Sequence, residues 1–278
     1  DAAGASGAEG AAAGATGEGG ASGGGAAGAG QQPCADRAEQ IPGDPYSPPC
    51  FEFSGDNGGA TAKGVTPEEI IVSARILDEK GFQQTLATLA GADIVDGPED
   101  VKRTISALAE YFNSRMQMYG RKMSIRFYDG KGSGTAELQG AGQAEAEADA
   151  ITAAEEIGAF AELNAGSAPF ADALARKGVI AFGTPYLSRK WHVERRPYNW
   201  SVATDCSIIV ESVGEFANQT LANKPAVFAG PGLKDKPRKF AALSPENPWY
   251  IDCVDDAIRI AEAAGNKIDQ RGTYPLHI

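Results

Sequence analysis

From residue 69 onward the chain alternates short apolar runs with longer stretches in which apolar residues fall three and four apart. The run EIIVSARIL (69–77) predicts a first strand. In 98–119, Val101, Ile105, Leu108, Ala109, Phe112 and Met116 share one helical face, and Gly120 stops the helix. MSIRFY (123–128) predicts a second strand, 129–134 a Gly-rich loop, and the Ala- and Glu-rich stretch 135–156 a second helix. A third strand is expected over 157–163, then a turn of small residues, Asn164 to Ser167. The next helix carries Pro169 near its start, Phe170 and Leu174 on its apolar side, and Gly178 at its end. The fourth strand, 179–182, closes in Gly183, Thr184, Pro185 and Tyr186.

Beyond it, RKWHVERRP (189–197) reads as a solvated basic loop and 198–203 as a short strand. Thr204 and Asp205 signal an N-cap for a helix over 206–222, with Ile209, Val213, Phe216 and Ala217 as its inner face. A strand over 240–243 precedes Asn247 and Pro248, which open a helix running to 264, and 267–274 predicts one further strand.

Strand and helix in alternation specify an α/β chain with a parallel sheet. The tips 164–167 and 183–186 then lie on one sheet edge, where ligands of open α/β sheets bind. The first tip also runs into a helix N-terminus, whose free N–H groups suit a carboxylate.

Composition sharpens this picture. The chain has 278 residues and a net charge of −12, which argues against a nucleic-acid partner. No apolar run is long enough to span a bilayer. Residues 1–32 are mostly Ala and Gly without apolar period and read as a disordered linker; it would hold a folded domain away from something such as a lipid-anchored N-terminus, or serve no tethering role. The chain starts at Asp1 without Met, consistent with a processed N-terminus. Residues 33–66 form a loop-rich cap. Cys34 and Cys50 bracket its Pro-rich part, and a bridge between them would explain how that part is ordered; two unrelated thiols are the alternative. Cys206 and Cys253 fall on successive helices, so their pairing stays open. No metal-ligand spacing, no Walker motif and no dinucleotide Gly pattern occurs, so neither metal nor cofactor is expected.

The order of elements, with GDNGGATAKGVTPEEIIVSARI at the start, ALAEYFNSRMQMYGRKMSIRFYD after it, then KGVIAFGTPYLS and PYNWSVATD, resembles the type I periplasmic solute-binding proteins, the branched-chain amino-acid-type substrate-binding family of ABC transporters. The likeness covers residues 64–267. It implies two doubly wound Rossmann-like lobes that close on a ligand in a Venus-flytrap manner, lobe one over 67–203 and lobe two, incomplete in this chain, over 204–278. By the same resemblance, Asn164, Gly166 and Ser167 with Thr184 and Tyr186 would grip the carboxylate and ammonium groups of an amino-acid-like solute. Trp249 or Tyr250 would close over it, and Asp78 would line the cleft mouth. Ser201, Val202, Ala203 and Thr204 would form the hinge. Expected partners are a small polar ligand and an ABC permease outside the cytoplasm, with the membrane reached only through an N-terminal lipid anchor. A ligand-sensing surface receptor shares this fold. An enzyme is the remaining alternative, disfavoured because no Gly-x-Ser-x-Gly elbow occurs and only His192 and His277 offer imidazole chemistry.

Overall fold

The structure is a computed structural model and describes residues 30–77, 79, 96–184, 186–201 and 203–275. Residues 1–29 of the expected linker, Asp78, Val202 and His277 lie outside the described residues.

Five parallel strands build the central sheet: β3 (Glu69–Ile76), β4 (Lys122–Asp129), β5 (Ala161–Glu162), β6 (Ile180–Gly183) and β7 (Asn199–Ser201). Their order is β4-β3-β5-β6-β7. The chain therefore steps outward from β3 to β4, then crosses back to lay β5 on the other side of β3. Val72 is flanked by Ile125 on one side and Ala161 on the other. The point between β3 and β5 is a topological switch, where helices leave toward opposite faces and a crevice opens at the C-terminal strand ends.

Helix α1 (Pro98–Arg115) connects β3 to β4. The stretch from β4 to β5 folds as α2 (Gly134–Leu138), α3 (Gln143–Ile151) and a π-helical turn (Thr152–Glu156), not as the single expected helix. Gly140 and Gly142, at φ +92° and +72°, make the break, a conformation that side chains with a Cβ disfavour. The expected third strand, 157–163, shortens to 161–162, because Ile157 N and Ala159 N still bond back to Thr152 O and Ala153 O of the π turn. The core lies between α3, the π turn and α4 (Ala168–Arg176). There Ala146, Ala150, Ala153 and Ala154 cluster with Phe170, Leu174, Val179 and Leu187, all buried.

The basic segment after β6 is not a loop. Ser188 Oγ accepts from Trp191 N at 3.2 Å and caps α5 (Arg189–Glu194), which buries Trp191 and His192. Arg189 and Lys190 stay exposed while Arg195, just past its end, stacks on Trp191, so a basic composition concealed a half-buried helix.

The N-terminal cap pairs β1 (Gln31–Pro33) antiparallel with β2 (Phe51–Phe53). Gln31 and Gln32, placed in the linker by composition, thus sit in a strand. A Cys34–Cys50 disulfide closes the cap, with Cα atoms 5.4 Å apart. Phe51 and Phe53 rest on Tyr119, with ring centroids 5.3 and 5.7 Å away.

The remaining elements are α6 (Cys206–Thr220), β8 (Phe240–Pro245), α7 (Pro248–Ala263) and β9 (Ile268–Tyr274), with β8 and β9 parallel. Both helices start as their caps dictate. Asp205 Oδ1 accepts from Ile208 N at 2.9 Å, and Asn247 Oδ1 from Trp249 N at 3.0 Å. A disulfide joins Cys206 to Cys253, with Cα atoms 6.0 Å apart. The expected inner face of α6 is corrected: Ile209, Val213 and Phe216 are exposed. The face that meets α7 is the small-residue one, Ser207 and Gly214, because the bridge from Cys206 draws that side inward.

Candidate functional site

Strand β3 carries Ser73 and Arg75 in its second half and is followed by Leu77, and the charge of Arg75 lies inside the protein. Its guanidinium grips Glu137 of α2 through both forks, Nη1 to Oε1 at 2.9 Å and Nη2 to Oε2 at 3.0 Å. Nη1 also reaches Asp149 Oδ2 of α3 at 3.2 Å, and the Phe170 ring lies 3.6 Å from the guanidinium carbon. Burial pulls the Arg75 pKa down, but hydrogen bonding and charge from Glu137 outweigh it and leave the group raised. Asp149 takes backbone N–H groups of Lys131 and Gly132, so the Gly-rich loop after β4 is fixed to the same cluster.

Glu162, at the end of β5, is the third buried carboxyl. It accepts from Ser73 Oγ at 2.6 Å, Arg75 N at 2.8 Å, Asn164 N at 3.2 Å and the Tyr128 hydroxyl at 3.3 Å. Burial still dominates and pushes its pKa up against those donors. Burial and the Glu162 charge also push the Tyr128 hydroxyl up.

Above this ionic floor opens a cavity of 260 Å³ at the switch point. Ile76, Leu77, Val101 and Leu138 form its apolar wall, and Glu79, Thr135 and Asn164 supply polar groups. Glu79 is already engaged: its carboxylate accepts from Gly134 N, and from Thr135 Oγ1 at 2.8 Å. Asn164 donates Nδ2 to Arg75 O at 3.0 Å, and its Oδ1 has no partner among the described residues.

The two expected tips do meet on one sheet edge, where Ala165 N donates to Phe182 O at 3.2 Å. Their side chains differ in access. Asn164 and Gly166 are exposed, whereas Ser167 and Thr184 are buried. Ser167 stands at the N-cap of α4 but gives its hydroxyl to Glu137. The free N–H of Ala168 donates to the Tyr186 hydroxyl at 2.9 Å, so the anion-ready end of α4 is served by the chain itself. Burial pushes the Tyr186 hydroxyl up. Thr184 takes φ +48° and its Oγ1 has no partner among the described residues.

Trp249 and Tyr250, at the start of α7, lean on the first lobe. Tyr250 stacks on Tyr186 with centroids 5.6 Å apart and donates to Leu138 O at 3.4 Å, while Trp249 packs on the core. Of the hinge residues, Ser201 bonds Ala203 through its hydroxyl, and Ala203 and Thr204 are exposed. Arg75, Glu137, Asp149 and Glu162 escaped sequence reasoning. The one signal for Arg75 was a charged residue inside an otherwise apolar strand run. Among the described residues no group of three or more His, Cys, Asp or Glu is placed to hold a metal ion, and no helix is long and apolar enough to cross a membrane.

No model of a known protein family matches this chain, and no curated protein sequence does. Solved structures do match. A solute-binding protein of an ABC transporter from R. palustris, in complex with 4-hydroxybenzoate, aligns with 76% of this chain and 48% of its own at 16% identity and a TM-score of 0.51. One from Rhodopseudomonas palustris HaA2, with p-hydroxybenzoic acid, gives 15% identity and a TM-score of 0.50 over the same shares, 76% and 48%. A periplasmic binding protein from Burkholderia mallei gives 12% identity and a TM-score of 0.50, again over 76% and 48%. The chain spans about half the length of these structures. Over that span it has the fold of the type I, branched-chain amino-acid class of ABC transporter substrate-binding proteins.

Proposed function

We propose that this protein captures a small solute in the crevice above Arg75 and delivers it to an ABC permease outside the cytoplasm. The observation that carries this reading is the 260 Å³ cavity at the switch point. Its floor is a set of charges already paired, which holds the cavity walls in place without chemistry of its own. Its wall is apolar on one side, and Asn164 Oδ1 stands ready to accept from a ligand N–H. That combination suits a solute with one apolar side and one polar end, the amino-acid-like class that the resemblance implies. Asn164 and Gly166 would touch it directly. Ser167, Thr184 and Tyr186 would hold the tip from beneath, and Trp249 and Tyr250 would form the closing side. Closure would turn on the exposed crossing at Ser201, Ala203 and Thr204. Two disulfides suit an oxidising, extracytoplasmic setting.

The test is a thermal-shift screen of the full chain against amino acids, amides and hydroxybenzoates, followed by calorimetry on the best hit. Ligand at a hundredfold excess over Kd stabilises by about 2.7 kcal/mol. Val101→Trp, on the cavity wall, is expected to abolish that shift and leave the unliganded melt intact. A cooperative melt that no solute moves, or a shift that Val101→Trp leaves untouched, would remove the cavity as the binding site.

A further inference from the structure

Residues 223–239, between α6 and β8, carry Lys224, Lys234, Lys236, Arg238 and Lys239 against a single acid, Asp235, in a chain of net charge −12. None of these six makes an ion pair among the described residues. The segment is a series of turns: Ala229 N donates to Ala226 O, Lys234 N to Gly230 O and Lys236 N to Leu233 O, at 2.9, 3.0 and 2.9 Å. On it Phe228 is 99% exposed and Val227 is 56% exposed. Beside it lies a cleft of 480 Å³ lined by Lys224, Lys236, Arg238 and Lys267, together with Asp235 and Asp269. Arg238 Nε is buried there without a hydrogen-bond partner among the described residues.

We propose that this segment docks the protein onto an anionic lipid bilayer. The cations would meet headgroup phosphates, one of them seated in the cleft, and Phe228 and Val227 would enter the interfacial layer. Charge alone would serve a soluble polyanion equally well, but it gives no reason for a fully exposed phenylalanine among lysines. An interface that is anionic outside and apolar just beneath uses both features. The net negative charge elsewhere works in the same direction, since repulsion turns the rest of the molecule away and presents this end. The placement is compatible with solute capture. The segment sits at the N-terminal ends of β8 and β9, whereas the turn into α7 that meets the first lobe lies at the C-terminal end of β8.

The experiment is flotation of the full chain with vesicles of phosphatidylcholine and phosphatidylglycerol at 3:1, against phosphatidylcholine alone. Binding is expected to the first and not the second. Each cation near the surface strengthens partitioning about fivefold, so Lys234→Gln/Lys236→Gln/Lys239→Gln should weaken it about a hundredfold. Phe228→Ser should weaken it several-fold at unchanged charge. All four side chains are exposed, so both variants should melt like the parent chain. Equal recovery with both vesicle types would overturn the proposal. So would binding undiminished in Phe228→Ser, and so would soluble polyphosphate binding the parent and Phe228→Ser equally well, since either outcome points to a polyanion site and not a bilayer.

Discussion

Arg75 and Glu137 meet fork to fork beneath the cavity, 2.9 and 3.0 Å apart at their two contacts, although 62 residues separate them in the chain. The pair ties the end of β3 to α2, and α2 carries Thr135 and Leu138 of the cavity wall. Ser167 adds its hydroxyl to the same carboxylate. The tip at 164–167, a central strand and a cavity wall therefore depend on one buried ion pair. Such a pair contributes little against a well-packed apolar replacement, yet breaking it on one side strands the other charge.

Replacing one partner should thus cost more than replacing both. Glu137→Leu is expected to destabilise by about 3–5 kcal/mol, because Arg75 keeps only Asp149. Arg75→Leu/Glu137→Leu should recover part of that loss. Urea titrations of the three chains decide it. A double variant less stable than Glu137→Leu would mean that the pair is worth more than its desolvation costs.

Glu162 makes a pH prediction. Its pKa is raised in the fold above the ordinary 4.5, chiefly by burial. Between the unfolded and folded values the native chain holds a proton that the unfolded chain has released. Its contribution is therefore complete below the ordinary carboxyl range and declines as pH rises through the folded value. Glu162→Gln removes this slope. Melting temperatures of both chains across pH 4 to 8 should show the variant gaining on the parent as pH rises. A gap that is constant, or that widens in the parent's favour, would show that the four donors around Glu162 outweigh its burial.

Much of this architecture is local and so was legible. The run at 69–77, the caps Asp205 and Asn247, and Pro248 at the first helical position each act over a few residues, and the structure follows them. The two tips were found because small turn formers ended two apolar runs, and strand order then placed them together. What stayed hidden is non-local. Nothing in the spacing of Arg75 and Glu137 tells that a loop and two helices bring them face to face. Ser167 reads from the sequence as a small turn former and, by the resemblance, a ligand contact; that its hydroxyl is given to Glu137, 30 residues away, is equally non-local. The α6 face was misread for a related reason. Apolar periodicity identifies a stripe but not its cover, and here Cys206–Cys253 turns the small residues inward instead.

That small-residue contact is itself testable. A Cβ on Gly214 would lie 2.6 Å from Ile260 Cγ2 of α7. Gly214→Val should force the two helices apart and cost about 1–3 kcal/mol through overpacking. Gly214→Val/Ile260→Ala should regain part of it by vacating the space. If Gly214→Val melts at or above the parent temperature, helix propensity outweighs the clash and the two helices are not in close contact at this point.

The Cys206–Cys253 bridge closes a loop with a sequence separation of 47, which the chain-entropy relation values at about 4 kcal/mol. The Cys34–Cys50 bridge, with a separation of 16, is worth about 3 kcal/mol by the same relation. The two should nonetheless differ in what they protect. Cys206 N donates to Leu187 O at 3.1 Å, so the longer bridge anchors α7 beside the strand edge that carries Thr184 and Tyr186. Cys206→Ser/Cys253→Ser is therefore expected to loosen the Tyr186–Tyr250 stack, seen as faster hydrogen exchange at both the start of α7 and residues 186–188. Cys34→Ser/Cys50→Ser should quicken exchange in the cap alone. Alkylation without reductant should label none of the four cysteines of the parent chain. Labelling of Cys206 and Cys253, or exchange at 186–188 that is indifferent to their loss, would show that the bridge does not couple the start of α7 to the strand edge at Thr184 and Tyr186.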